Sequence, residues 1–148
     1  MLQEALKSKN IPAPHGCYSQ GIRLGDFIYL SAQLPLEKGE TEAKGSIEEQ
    51  TEKCMKNIQA LLAAQNLTLS HILKMDIFLT EINDYQKMND TLEKFLAEPF
   101  PSRNVCGVNA LRSGARIQIG CFAVDTRALE VMCADDHCDE DGGFCSCK

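Results

Sequence analysis

Arg103 is a candidate for binding an anion. It lies in the segment Phe100-Pro101-Ser102-Arg103-Asn104-Val105-Cys106-Gly107-Val108, in which an alternating run follows two prolines and predicts a strand. A guanidinium offers a planar set of donors that suits a carboxylate, and burying it without a partner is costly. Two interpretations are open, an anion-holding arginine or a solvated arginine on an edge strand. The segment by itself favours the second.

The chain also contains eight cysteines, whose thiols can take part in chemistry. Four of them occur singly within segments that show the periodicity of helices or strands. A thiol in that setting is most often a small buried apolar group, and these four are Cys17, Cys54, Cys106 and Cys121. Period two places Cys106 on the strand face opposite Arg103, so we expect Cys106 in the core. Cys17 is close in sequence to His15, but nucleophilic chemistry needs a base in contact and an electropositive setting, which this spacing does not establish.

The other four cysteines fall within an acidic segment at the end of the chain. Cys133, Cys138, Cys145 and Cys147 have spacings C-x4-C, C-x6-C and C-x-C, with His137 beside the second cysteine. Structural zinc sites usually begin with a C-x2-4-C pair, and C-x4-C is the longest spacing in that range and is followed here by C-x6-C, so the fit to a zinc site is poor. The interpretation favoured is a mobile acidic tail over residues 126–148; a metal site and a disulfide formed under oxidising conditions are the alternatives.

The elements that must position Arg103 follow from periodicity and turn signals. Residues 1–16, which contain Pro12 and Pro14, are expected to be irregular. Gly25-Asp26 predicts a hairpin, and Ser46-Ile47-Glu48-Glu49 is a capping box that opens a helix running to about Ala64. Further on we expect a strand over 73–80, a second helix from Asn83 or Asp84 to the prolines Pro99 and Pro101, and strands over 102–109 and 116–124. The predicted order is β-β-α-β-α-β-β, an α+β mixed sheet with two helices on one face.

Bulk composition limits the classes of function. The chain has 148 residues, a formal net charge of −6 and a pI of about 5.0, with scattered Lys and Arg. A nucleic-acid or anionic-membrane surface is therefore not expected, and no apolar run reaches the roughly 20 residues of a membrane span. The N-terminus lacks the pattern of a secretory signal, so the expected location is cytoplasmic. We expect one domain over residues 1–125, followed by the tail.

The predicted sheet carries apolar side chains on both faces. In the last strand Ile117, Ile119, Cys121 and Ala123 suit the side covered by helices, while Phe122 and Val124 fall on the other side. The strand that begins at Phe27 shows the same property. A sheet open to water would alternate more cleanly, and no helix remains to cover its second face. We therefore expect another copy of the chain to cover it in a closed symmetric assembly, with Arg103 near a subunit boundary.

Six short patterns in register resemble one known family. They are Gly16-Cys17-Tyr18-Ser19-Gln20, Ser31-Ala32-Gln33-Leu34-Pro35, Glu49-Gln50-Thr51, Met88-Asn89, Pro101-Ser102-Arg103 and Ile117-Gln118-Ile119. Over about residues 10–125 the chain resembles the RidA/YjgF family of reactive-intermediate deaminases. The resemblance implies a chorismate-mutase-like homotrimer with clefts between subunits, which hydrolyses 2-enamines and 2-imines to 2-keto acids and ammonia without a metal or a cofactor.

The resemblance also implies site residues. Arg103 matches the arginine that grips the substrate carboxylate, and Tyr18 matches the tyrosine that lines the cleft. Ala32 stands where the family usually has glycine, so its backbone N–H remains available but its methyl group narrows the approach. Val105 matches a position whose main-chain groups flank the substrate. Asn89 matches a family asparagine, for which substrate binding and a structural role are both open.

Gln118 departs from the family pattern, because active members carry a glutamate there. A glutamine positions a water molecule by hydrogen bonds but does not accept a proton at neutral pH. Loss of general base help typically costs about 10²–10⁴-fold in rate. Two interpretations are open: a slow or differently tuned deaminase, with Arg103 and Gln118 as the catalytic residues, or a non-catalytic trimer that binds a small carboxylate as a sensor or scavenger. A third, of another class, is a metal- or redox-responsive protein that works through its tail.

Overall fold

The computed structural model describes residues 2–127. Six strands form one mixed sheet: β1 (Gln3–Leu6), β2 (Gly21–Leu24), β3 (Phe27–Gln33), β4 (Ile72–Leu79), β5 (Ser102–Gly107) and β6 (Ile117–Val124). Two helices, α1 (Ile47–Ala63) and α2 (Tyr85–Leu92), follow β3 and β4. The strand order across the sheet is β1-β2-β3-β6-β4-β5, and all neighbours are antiparallel except β4 and β5. The predicted α+β class with two helices is confirmed.

The prediction of an irregular leader over residues 1–16 was wrong for residues 3–6, which form the edge strand β1. This strand pairs antiparallel with β2, so the element order is β-β-β-α-β-α-β-β. Only Leu6 of its four residues is buried, and one buried side chain leaves no alternation in the sequence. Buried Gln20 fixes the segment that follows, since its side chain accepts from the Ser8 N–H and donates to the Ser8 and Pro12 carbonyls.

The helix and turn signals in the middle of the chain gave the observed elements. The Ser46 capping box is present: Glu49 N–H donates to Ser46 Oγ at 3.3 Å, and Ser46 N–H donates to the Glu49 carboxylate at 2.7 Å. The predicted hairpin turns at Gly25, whose φ of +59° is a left-handed conformation that glycine adopts freely. Helix α2 ends earlier than predicted, at Leu92. Asp84 precedes it without capping it and is paired with Arg116.

The core lies between the helices and one face of the sheet. Helix α1 packs against β3, β6 and α2, and its fully buried side chains include Met55, Ile58 and Leu61. Each of these side chains contributes roughly 1.5–3 kcal/mol by leaving water. Ile117, Ile119, Cys121 and Ala123 point into this core, as predicted.

An ion-paired cluster closes the end of the sheet just after β6. The carboxylate of Asp125 is 6% exposed and accepts hydrogen bonds from Arg127 and Arg23. These bonds, with Arg127 the larger contributor, hold the pKa of Asp125 well below its ordinary value. Because Arg23 belongs to β2, the cluster connects this strand to the segment that follows β6.

Candidate functional site

Arg103 is held by two neutral oxygens of helix α2. Its Nη2 donates to Tyr85 Oη at 2.9 Å and to Asn89 Oδ1 at 2.9 Å, and its guanidinium carbon lies 5.7 Å from the centre of the Tyr85 ring. Tyr85 and Asn89 are four residues apart, so they share one face of the helix. Asn89 in turn donates to Glu93 at 3.1 Å. We call Tyr85, Asn89 and Arg103 the arginine half-site.

The charge of Arg103 is not neutralised by any ion pair within residues 2–127. Arginines 23, 116 and 127 are each paired with a carboxylate, whereas Tyr85 and Asn89 are uncharged partners. The lysines that lack an ion pair in this part of the chain are exposed, whereas Arg103 is half-buried. A partly desolvated guanidinium with only neutral partners attracts an anion strongly. The geometry therefore favours the anion-holding interpretation of Arg103 over a solvated arginine.

A cavity of about 360 Å³ adjoins the arginine half-site, which is a volume that suits a small metabolite. Its walls are partly apolar and come from the end of α2 and the segment before β5. The lining residues are Asn89, Leu92, Glu93, Leu96, Phe100, Pro101 and Arg103.

Gln118 lies on the other side of the sheet. Its neighbours Ile117 and Ile119 are buried in the core, so the alternation of β6 turns Gln118 to the face without helices, where its cross-strand partner is Phe78. Ala32 shares this face, because a Cβ built on Gly120 would lie 3.6 Å from the Ala32 methyl carbon. We call Ala32 and Gln118 the open-face half-site. Ala32 also lines a second cavity of about 230 Å³ together with Tyr18, and Gln118 is not among the lining residues of that cavity.

The two half-sites are separated by the sheet within one chain. Arg103 pairs with Met75 and Val105 pairs with Ile77, and both partners are core residues. The Arg103 face of β5 is therefore the helix side. Val105 packs against the core, so only its main chain is free to meet a ligand at the sheet edge. Asn89, Arg103 and Val105 thus lie on the helix side of the sheet, and Ala32 and Gln118 lie on the other side.

The same result corrects the placement of Cys106. It lies on the face opposite Arg103, as predicted, but that face is the open one, and Cys106 is exposed instead of buried in the core. Cys17 is also exposed, and no hydrogen bond joins it to His15 in the described part of the chain. Cys54 and Cys121 are buried as expected, and burial raises the pKa of the Cys121 thiol to about 12.

The open face carries apolar side chains, as the sequence predicted. Phe27 and Tyr29 are 49% and 52% exposed, and their rings lie 6.1 Å and 4.8 Å from the ring of Phe122. No described residue covers this aromatic patch, and beside it lies a depression of about 520 Å³ whose lining includes Phe78 and the ion pair of Lys74 with Asp76. A contiguous apolar patch of this kind marks an interaction surface.

Residues 2–127 contain no cluster of His, Cys, Asp or Glu able to hold a metal ion, and none of the helices in this range is long and apolar enough to cross a membrane. The predictions for the tail, including its four cysteines and His137, lie outside the described residues.

Tyr85 is the residue that sequence reasoning missed. Its spacing from Met88 and Leu92 assigned it to the apolar stripe of α2, but it is 40% exposed and its hydroxyl contacts Arg103. The available signal was its position four residues before Asn89, on the same helical face.

Comparison with known proteins identifies the family. The model of the family described as Endoribonuclease L-PSP matches residues 8–125. The chain is 32% identical over 123 residues to the RutC family protein PH0854 of Pyrococcus horikoshii, covering 82% of this chain and 98% of that protein. It is 32% identical over 114 residues to a 2-iminobutanoate/2-iminopropanoate deaminase of Dermatophagoides farinae, covering 76% and 89%.

Solved structures share the fold. RidA from a Psychrobacter species matches with a TM-score of 0.79 and 28% identity, covering 82% of this chain and 99% of that one. Escherichia coli TdcF with bound serine matches with a TM-score of 0.77 and 26% identity, covering 82% and 98%. The chain therefore belongs to the family described as Endoribonuclease L-PSP, which is the RidA/YjgF family of the resemblance.

Proposed function

We propose that this protein hydrolyses reactive 2-enamines and 2-imines to 2-keto acids and ammonia, with the substrate carboxylate held by Arg103. The observation that carries the proposal is the half-buried guanidinium with only neutral partners beside a cavity of metabolite size. Two facts about relatives support it. One relative is named a 2-iminobutanoate/2-iminopropanoate deaminase, and TdcF was solved with serine, a small carboxylate, bound.

The complete site forms between subunits of a homotrimer. One chain turns Arg103 and Gln118 to opposite sides of its sheet, so a single substrate reaches both only if the second comes from a neighbouring copy. The aromatic patch on the open face gives that neighbour a surface to bury. In a closed ring each subunit presents its arginine half-site to one neighbour and its open-face half-site to the other.

Each group has one role in this proposal. Arg103 binds the carboxylate through N–H groups that Tyr85 and Asn89 leave free, and main-chain groups near Val105 and Ala32 orient the planar C=N group. A water molecule held by the Gln118 amide adds to the imine carbon, giving a carbinolamine. That species loses ammonia and leaves the 2-keto acid, while an enamine first takes up a proton on carbon to become the imine. Because Gln118 does not accept a proton, the water proton passes to the departing nitrogen or to solvent.

A second candidate function rests on the same glutamine. If the absence of a glutamate carboxylate at position 118 abolishes turnover, the protein is a trimer that binds small carboxylates through Arg103 and acts as a sensor or scavenger.

We do not propose ribonuclease activity despite the description of the family, because the net charge is −6 and the basic residues form no cluster along the sequence. We place the protein in the cytoplasm, in keeping with the free thiols of cysteines 17, 54, 106 and 121.

The proposal is tested by following ammonia release from 2-aminoacrylate, generated in the cuvette by a pyridoxal-phosphate dehydratase. We expect the wild-type protein to accelerate release and Arg103→Ala to abolish the acceleration. Lys94→Ala removes an exposed cation instead and should leave the rate unchanged. An inactive wild type whose Gln118→Glu variant is active would establish the binding function. Acceleration that survives in Arg103→Ala would contradict both proposals.

A further inference from the structure

We propose that the hydroxyl of Tyr85 is a positioning group that fixes the guanidinium of Arg103 for carboxylate binding. This inference rests on the proposed function, since it assigns a task to a residue that contacts Arg103. It concerns one atom, Tyr85 Oη, which lies 2.9 Å from Arg103 Nη2.

Arg103 needs such support because of its place in the fold. Strand β5 is the edge of the sheet, and the guanidinium stands at the end of a long side chain with several rotatable bonds. Free rotation would spread the donors over many directions and weaken the binding of a carboxylate. Two acceptors on one nitrogen remove most of that freedom.

The choice of atoms leaves two of the three guanidinium nitrogens free. Both acceptors, Tyr85 Oη and Asn89 Oδ1, take hydrogen bonds from Nη2. No described residue accepts a hydrogen bond from Nη1 or Nε, so the N–H groups of these two nitrogens remain free, and a carboxylate can accept from one of them. Because a phenol and an amide are neutral, they hold the group without cancelling its charge.

The Tyr85 ring adds a second contact to the same group. The guanidinium carbon lies 5.7 Å from the ring centre, within the range of a cation–π interaction. Tyr85→Phe keeps this contact and removes only the hydroxyl, so it isolates the hydrogen bond. Asn89 completes the support, since its own orientation is fixed by the bond to Glu93.

The test measures binding of 2-oxobutanoate by NMR titration, which reports on the arginine half-site even if the protein does not turn over imines. We expect Tyr85→Phe to weaken binding about 3- to 10-fold, which is the range of one ordinary hydrogen bond, because the Tyr85 hydroxyl acts on the ligand only through Arg103. In the deaminase assay KM should rise by a similar factor with little change in kcat. Lys94→Ala is the control, because it removes an exposed side chain that belongs to neither half-site, and its affinity should equal that of the wild type.

Two further measurements separate positioning from a general structural effect. In an Arg103→Lys background, Tyr85→Phe should cause no additional loss of affinity, since the bond it removes is absent there. The NMR signal of the Arg103 Nε–H group should be sharp in the wild-type protein and broadened in Tyr85→Phe. An unchanged Arg103 signal overturns the proposal, whether or not the protein binds 2-oxobutanoate. An equal loss of affinity in both backgrounds overturns it as well.

Discussion

Mixing two inactive variants tests whether the site is shared between subunits. Arg103→Ala disables the arginine half-site, and Gln118→Leu disables the open-face half-site without changing the fold, since Gln118 makes no hydrogen bond within the described residues and is only half-buried. Each homotrimer alone should be inactive. After subunit exchange, some clefts combine an intact arginine from one variant with an intact glutamine from the other.

The expected recovery follows from the geometry. In an equal mixture, half of the subunits carry an intact Arg103 and half carry an intact Gln118. A cleft that takes one half-site from each of two neighbours is therefore intact in about one quarter of cases at random assembly. A cleft built within one chain would be intact in none. The assay is ammonia release from 2-aminoacrylate, measured before and after co-refolding and compared with wild-type protein treated in the same way.

A double variant provides the matched control. Arg103→Ala/Gln118→Leu mixed equally with wild type begins at about half of the wild-type activity per subunit. Exchange should lower this to about one quarter, because both neighbours of a cleft must then be wild type. Activity that stays at one half after verified exchange, together with no recovery in the first mixture, would refute the shared site.

Three further outcomes follow from the described contacts. Phe122→Glu should convert the assembly to monomers in sedimentation analysis, because it places a charge in the aromatic patch that the neighbouring subunit would bury. Ile82→Glu is the control, because Ile82 is exposed and does not belong to the patch, and this variant should keep the assembly. Asp125→Asn should lower the free energy of unfolding by about 2 kcal/mol at neutral pH, measured with urea, because it weakens charge-assisted hydrogen bonds from Arg127 and Arg23. Those bonds lower the pKa of Asp125 in the folded protein, so the stabilisation is fully present above the unfolded pKa of about 3.8 and is lost progressively as the pH falls from there towards the folded pKa. A difference in stability between wild type and Asp125→Asn that is the same at pH 2 as at neutral pH would contradict this. Peptide mapping after thiol labelling of native protein should find Cys17 modified and Cys54 protected, because burial strongly raises the pKa of the Cys54 thiol.

Signals that act over a few residues predicted the central elements well. A capping box or a glycine in a left-handed turn depends on its own neighbours, so Ser46 and Gly25 gave a helix start and a hairpin that the structure confirms. Strand β1 escaped prediction because only Leu6 is buried, and edge pairing supplies most of its stabilisation. Arg103 was identified from its residue type and from the resemblance of the chain to the family. Its acceptor Tyr85 was not identified, because Tyr85 also fits the apolar pattern of helix α2.

The side of the sheet on which Arg103 lies could not be predicted from its own strand. The alternation of β5 places Arg103 and Val105 on one face and Asn104 and Cys106 on the other. Each face has one residue that suits a core, Val105 on the first and Cys106 on the second. Assigning Cys106 to the core put Arg103 on the wrong side. The parallel pairing with β4 decides the matter, because it aligns Val105 with buried Ile77. In β6 the buried isoleucines around Gln118 allow only one orientation. The separation of the two half-sites is thus a property of strand pairing, and it is this separation that makes a second copy of the chain necessary for the proposed chemistry.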